Sequence, residues 1–172
     1  MNTTELSFLI LSLFMIHEFE EIITVRNWIQ KNGSDKKLTN EMFIKGRKHY
    51  QSTETISIMI MEEFALASII LFIAIKLQIT EMAVGLFVAY TLHLFGHIFQ
   101  CIKFGKWTPG SRTALITILP IFYIFYLTFV NNNLNATNTA IWSLVFLIAL
   151  LLNLRLMFHY ADKIEHWRKN YL

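Results

Sequence analysis

The sequence predicts an all-α protein: a polytopic membrane bundle of five transmembrane helices, with its N-terminus outside and its C-terminus in the cytoplasm. Three observations predict it. Of 172 residues, 55% are hydrophobic and only 16% charged, where an ordinary globular domain carries about 25% charged residues. Mean hydropathy is +0.46. Five stretches approach the roughly 20 apolar residues that a membrane helix requires. Lys and Arg gather on one side of a chain threaded through those five stretches, and positive loops stay in the cytoplasm.

The spans are expected at 6–25, 55–75, 82–102, 113–130 and 140–160. The first has an unusually polar second half, and the fourth contains Pro120. Between the first two lies a basic cytoplasmic connector at 27–54, partly amphipathic and broken by Gly33 and Gly46. Arg26, Lys31, Lys36, Lys37, Lys45, Arg47 and Lys48 follow the first span, Lys103, Lys106 and Arg112 follow the third, and Lys163, Arg168 and Lys169 follow the fifth. That is 13 of the 15 basic residues on one side, which sets the orientation. The first span lacks the basic leader and small-residue cleavage site of a signal peptide, so residues 1–172 are expected to form one integral membrane domain of the cell membrane.

Several classes are excluded. A disordered chain needs low hydrophobicity. A disulfide scaffold needs cysteine pairs, and Cys101 stands alone. A net charge of +3 gives nucleic-acid binding little support. No internal repeat suggests a repeat-built transporter. Membrane lipid and a small lipophilic substrate are the partners this composition favours, and the oligomeric state is left open.

The informative residues are polar ones inside the spans, where an ionisable group is costly and by default marks a functional interior. Residues three and four apart share a helix face. In the first span His17, Glu20, Glu21 and Thr24 form one stripe, while Glu18 points off it toward the interface or another partner. In the third, Tyr90, His93, His97 and Gln100 form another; in the fifth, Arg155, His159 and Asp162 do. Glu62 and Glu63 are adjacent, so one of them points inward, and Glu63 is preferred.

Depth supplies the second test. At a 1.5 Å rise per residue, Glu21 lies about 7 Å and His17 about 13 Å inside Arg26. His97 and His93 lie about 9 and 15 Å inside Lys103, Glu62 about 12 Å inside Glu54, and His159 about 5 Å inside Asp162. Four helices of alternating direction thus carry their His and Glu in the cytoplasmic half. Scattered polar residues have no reason to share a level; a convergent cluster does.

Imidazole and carboxylate together suit zinc or iron better than calcium or magnesium, and pairs four apart let one helix offer two ligands to one ion. His17, Glu21, Glu63, His93, His97 and His159 are the candidate metal ligands. They exceed one tetrahedral zinc site, so one or two divalent ions fit the count. Glu20 and Glu62 are the candidate proton carriers, and Arg112 and Arg155 the candidate contacts to an anionic substrate group. Arg155 has two other uses, neutralising a carboxylate or snorkelling to the interface. The same His and Glu residues also admit packed polar contacts, buried ion pairs between helices, or a proton or ion path. The preferred reading is a metal-dependent membrane enzyme acting on a lipophilic or lipid molecule. Its chemistry is either hydrolytic or oxidative on two metals; the alternatives are an ion or metal carrier and a structural subunit.

His17-Glu18-Phe19-Glu20-Glu21 reads H-x-x-E-E on a hydrophobic first span, followed by a Glu-bearing second span, a His-rich third, and Trp107-Thr108-Pro109-Gly110 before the fourth. In motif and order this resembles the HXXEE family of small bacterial integral membrane proteins, over nearly the whole chain. The resemblance implies a metal-binding or catalytic role for His17, Glu20 and Glu21, and no particular reaction.

Overall fold

The computed structural model describes residues 1–41, 43–44 and 52–171. Lys45, Gly46, Arg47, Lys48 and His49, which belong to the basic connector, lie outside the described residues. The described chain is all-helical. Five long helices run α1 Thr3–Asn32, α2 Thr53–Leu77, α3 Thr80–Phe104, α4 Ser111–Asn131 and α5 Ala136–Tyr171, with one 3-10 turn at Lys36–Leu38.

Local chemistry sets their ends. Asn2 and Glu5 form a reciprocal capping box at the start of α1, satisfying two of the amides a helix start leaves open. Ser52 caps α2 by accepting from Thr55 N. Glu165 of α5 reaches the same place and accepts from the hydroxyls of Ser52 and Thr55, pinning the end of α5 to the start of α2. Gly105 ends α3 and Gly110 precedes α4, both at positive φ, a conformation that glycine adopts at no steric cost. The α1 and α5 helices overrun the expected spans at their C-terminal ends. Part of the connector is therefore helix, tied to the α3–α4 loop through the Lys106–Asp35 ion pair.

The helices α2 to α5 are each long and apolar enough to cross a membrane. The α1 helix is not among those four, because it carries Glu18, Glu20 and Glu21 in mid-helix. Large apolar residues such as Phe72, Ile116, Leu119 and Leu151 face outward. On a water-soluble surface so much exposed apolar area would be a liability; in lipid it is the expected outer face.

The centre of the bundle is α3, which packs against all four other long helices. Its partner α1 runs beside it in the same direction: Thr3 meets Thr80, Tyr90 donates to the Leu13 carbonyl, and Glu21 meets His97. One apolar core, including Leu6, Leu13, Phe87 and Leu94, fills the bundle toward the start of α1. A second, built on Val25, Ile29, Ile56 and Ile60, fills the other end. The polar residues of α1 and α3 lie between the two.

Gly85 permits the closest approach of α3 to α5. A Cβ there would stand 2.5 Å from the Trp142 Cβ, whereas one on Gly96 would meet nothing within 4 Å. Overpacking costs about 1 to 3 kcal/mol, more than the roughly 1 kcal/mol of helix propensity that alanine adds over glycine. Gly85→Ala is therefore expected to lower the melting temperature in detergent, and Gly96→Ala to leave it unchanged or raise it. Equal shifts for the two variants would refute this account of the α3–α5 contact.

Candidate metal centre

His17 and Glu21 lie one turn apart on α1, and His93 and His97 one turn apart on α3, so each helix presents two groups to its neighbour. His17 is 0%, His97 2% and Glu21 7% exposed. Ligand-capable nitrogens of His17, His93 and His97 lie within 4.8 Å of one another. His97 Nε2 stands 3.0 Å from His93 Nε2 and 3.3 Å from Glu21 Oε1. His17 Nε2 stands 4.0 Å from the same Glu21 oxygen.

The outer contacts of these rings decide where their protons sit. His97 Nδ1 is 3.0 Å from the Pro109 carbonyl. A carbonyl only accepts, so Nδ1 carries the proton and Nε2 is left with a bare lone pair. His17 Nδ1 is 3.1 Å from Thr113 Oγ1. That hydroxyl is 2.6 Å from Glu20 Oε2 and 3.2 Å from the Gly110 carbonyl. The shorter bond, to a carboxylate, takes the hydroxyl proton, so Thr113 accepts from His17 Nδ1. His17 Nε2 is then a lone pair too. His97 Nε2 can accept from His93 Nε2, whereas His17 Nε2 faces only Glu21 Oε1. His17 Nε2 and Glu21 Oε1 are buried without a hydrogen-bond partner among the described residues, a state costing about 1 to 3 kcal/mol per group unless something compensates it.

The α3–α4 turn closes over this cluster. Gly110 sits at φ +76°, and a Cβ there would lie 2.7 Å from Glu21 Oε1, 2.7 Å from His17 Cε1 and 3.0 Å from His97 Nδ1. Only a residue without a side chain fits. Trp28 holds the turn by donating Nε1 to the Trp107 carbonyl.

The remaining candidates are distributed as follows. Glu63 lines, with His93, the two cavities beside the cluster. Glu62, expected to carry protons, instead accepts from Asn153 Nδ2 of α5 and lines neither cavity. Glu20, expected in the same role, accepts from both the amide and the hydroxyl of Thr113. It caps the start of α4, which Gly110 has no side chain to cap, and holds His17 in place through Thr113. His159 stands apart from the cluster, exposed and edge-on to Tyr160. The reason is helical phase: Asn153, Leu154 and Phe158 face the bundle, so Arg155 and His159 fall on the adjoining exposed stripe. Arg112 is likewise exposed, its guanidinium 5.8 Å over the Trp107 ring. Glu18, expected to point away, is buried at 3% exposure and lines a cavity with Glu21, Glu63 and His93. Thr113, Gly110 and the Pro109 carbonyl were not legible as site residues. The turn signal at Pro109-Gly110 was their only trace in the sequence.

Residues 8–125 match the family described as "Protein of unknown function with HXXEE motif". The chain belongs to the HXXEE family. The matched stretch, over two thirds of the chain, holds every residue of the cluster and of the turn above it; α5 lies beyond it. No curated protein and no solved structure matches the chain. The geometry shows what the motif spacing does here. The His and the second Glu, four apart, face α3 together. The first Glu, three on from the His, faces α4.

Replacing a capping acceptor costs about 0.5 to 2 kcal/mol. Glu20→Ala is expected to lose that much in thermal unfolding. Gly110→Ala is expected to lose more, since it meets both a left-handed backbone and three filled positions. If Gly110→Ala unfolded at the wild-type temperature, the close approach of the turn to the cluster would be wrong.

Proposed function

We propose that this HXXEE-family chain is a metal-dependent integral membrane enzyme, with His17, His93, His97 and Glu21 holding a divalent cation. It spans the cell membrane five times, with its N-terminus outside, and acts on a small lipophilic or lipid molecule. One observation carries the reading. His17 Nε2, its ring proton committed to Thr113, and a Glu21 oxygen 4.0 Å away are both buried without a hydrogen-bond partner among the described residues, two acceptors facing each other. A positive ion relieves that repulsion. Three imidazoles and a carboxylate suit zinc or iron. The Thr113 and Pro109 contacts are the outer bonds that orient ligating histidines and raise their basicity.

A cation here supplies Lewis acidity, polarising a substrate bond or making bound water acidic. The protein supplies the rest. A cavity of about 110 Å³ adjoins His93. Its polar groups, Glu63, Tyr90, His93 and Asn153, gather at one end; Ile10, Ile70, Leu86 and Phe146 line the other. From Glu63 to Ile70, and from His93 to Leu86, is about 10 Å of helix. An amphipathic molecule fits with its reacting group at His93 and its apolar part toward the outer leaflet. Glu63, beside His93 and bound to neither Asn153 nor Thr113, is the carboxylate that meets the reacting end of the molecule. The apolar end leaves no polar route to the other face, which favours an enzyme over a carrier.

Elemental analysis of protein purified in detergent is expected to find zinc or iron retained, and His93→Ala and Glu21→Ala to lose it. A metal-free wild type, or unchanged stoichiometry in both variants, would sink the proposal. Chelation is expected to lower the melting temperature, because a ligand bound only to the folded state stabilises it. Thr113→Val, which removes the acceptor for His17 Nδ1, is expected to weaken metal affinity by about 10- to 100-fold, and Thr113→Ser to restore it. Equal affinity in the two would show that the hydroxyl plays no part in orienting His17.

A further inference from the structure

Glu18 is the buried group that this reading does not yet use. Its carboxylate has no hydrogen-bond partner among the described residues, although only 3% of the residue is exposed. It lines a small cavity of about 30 Å³ between α1, α2 and α5. Among the described residues, the polar side chains around that cavity are Glu18, Glu21, Glu63 and His93, with no Lys or Arg, and Ile56, Ile60 and Phe158 are among its apolar walls. About 10 to 15 Å³ is room enough for a water-sized occupant. Three carboxyl groups face one apolar chamber, where the ionised form of each is poorly solvated unless a cation or a proton neutralises it.

We infer that Glu18 and Glu63, together with Glu21 and His93, hold a second divalent cation beside the one proposed above. Two residues belong to both sets. Glu21 directs Oε1 at His97 and also lines the chamber, and His93 stands in the histidine cluster and at the chamber wall. A carboxylate shared in this way is the natural bridge between two cations. The donor sets differ. The first site is dominated by imidazole and the second by carboxylate, so the second suits the harder ions and exchanges them more readily. Two cations about 4 Å apart clamp a reacting group from two sides, and Glu63 lines the lipophilic cavity as well.

The inference rests on the proposed metal centre, and the test keeps the two separate. The full-length protein in detergent is stripped with chelator, then reloaded with Mn²⁺ alone. Two ions per chain are expected, with an electron paramagnetic resonance spectrum showing spin coupling between them. Glu18→Gln and Glu63→Gln, which keep side-chain size, are each expected to bind one ion per chain and to give the spectrum of isolated Mn²⁺. His17→Ala is expected to weaken the first ion while leaving the carboxylate-rich site able to bind. One ion per chain in the wild type, unchanged in Glu18→Gln and Glu63→Gln, would overturn this inference and leave the histidine centre standing. So would an uncoupled spectrum at two ions per chain. A rise in melting temperature of both Gln variants with unchanged ion content would mean that protons alone neutralise the chamber. A wild type that binds no ion overturns both proposals. Glu18→Asp serves where Glu18→Gln does not fold, and is expected to bind the second ion at least tenfold more weakly.

Discussion

An imidazole nitrogen that has kept its lone pair, buried opposite a carboxylate oxygen and away from water, stays unsatisfied unless a positive ion or a proton comes between them. The structure around His17, His97 and Glu21 depends on that constraint. Each ring spends its single proton on an outward bond, His97 to the Pro109 carbonyl and His17 to Thr113. What remains of His17 faces Glu21 unsatisfied, while His97 Nε2 has His93 Nε2 3.0 Å away. A bundle meant only to be stable would put Leu or Phe at these positions, as it does one turn away at Leu13 and Leu94. The two apolar cores on either side stabilise the fold and hold the polar layer between them in register.

The start of α4 is the second element on which the centre rests. A helix that begins with glycine leaves its first amides without a local cap, and here α1 provides one: Glu20 accepts from the amide and the hydroxyl of Thr113. The same hydroxyl then serves His17. One carboxylate thus joins two helices and aligns a ring on its own helix through the other. Gly110 is required on the opposite side of the turn, because the space a side chain would take is filled by Glu21, His17 and His97. The Trp107–Gly110 turn is therefore a lid on the cluster as well as a connector. The α5 helix plays a different part. It closes the lipophilic cavity with Phe146 and Asn153 and anchors its far end to α2 through Glu165, but contributes nothing to the histidine cluster.

Much of the fold was legible because membranes impose simple requirements. Length, apolarity and the placement of Lys and Arg located all five helices to within a few residues at their starts. The ends of α1 and α5 ran on, since backbone hydrogen bonding can continue where apolarity stops. Within the site, the spacing of His17 with Glu21 and of His93 with His97 was enough to pair them, because spacing of four leaves no other face. The same rule gave no phase for α5. Arg155 and His159 were sorted onto one stripe correctly, but which stripe faces the bundle depends on whether Asn153 and Phe158 pack better inside.

The sequence by itself thus determined the helices, their polar stripes and the level at which the stripes of α1 and α3 meet, since each follows from a local period of 3.6 residues and from the solvent on either side. Tertiary structure alone decided which carboxylate does what. Glu20, Glu62 and Glu63 are chemically alike, and only the neighbours brought by other helices separate them: Thr113 for the first, Asn153 for the second, the His93 cavities for the third. Tertiary structure also decided the protons on His17 and His97, because a ring's tautomer is set by its outer partner, and Thr113 and Pro109 are 96 and 12 residues away along the chain.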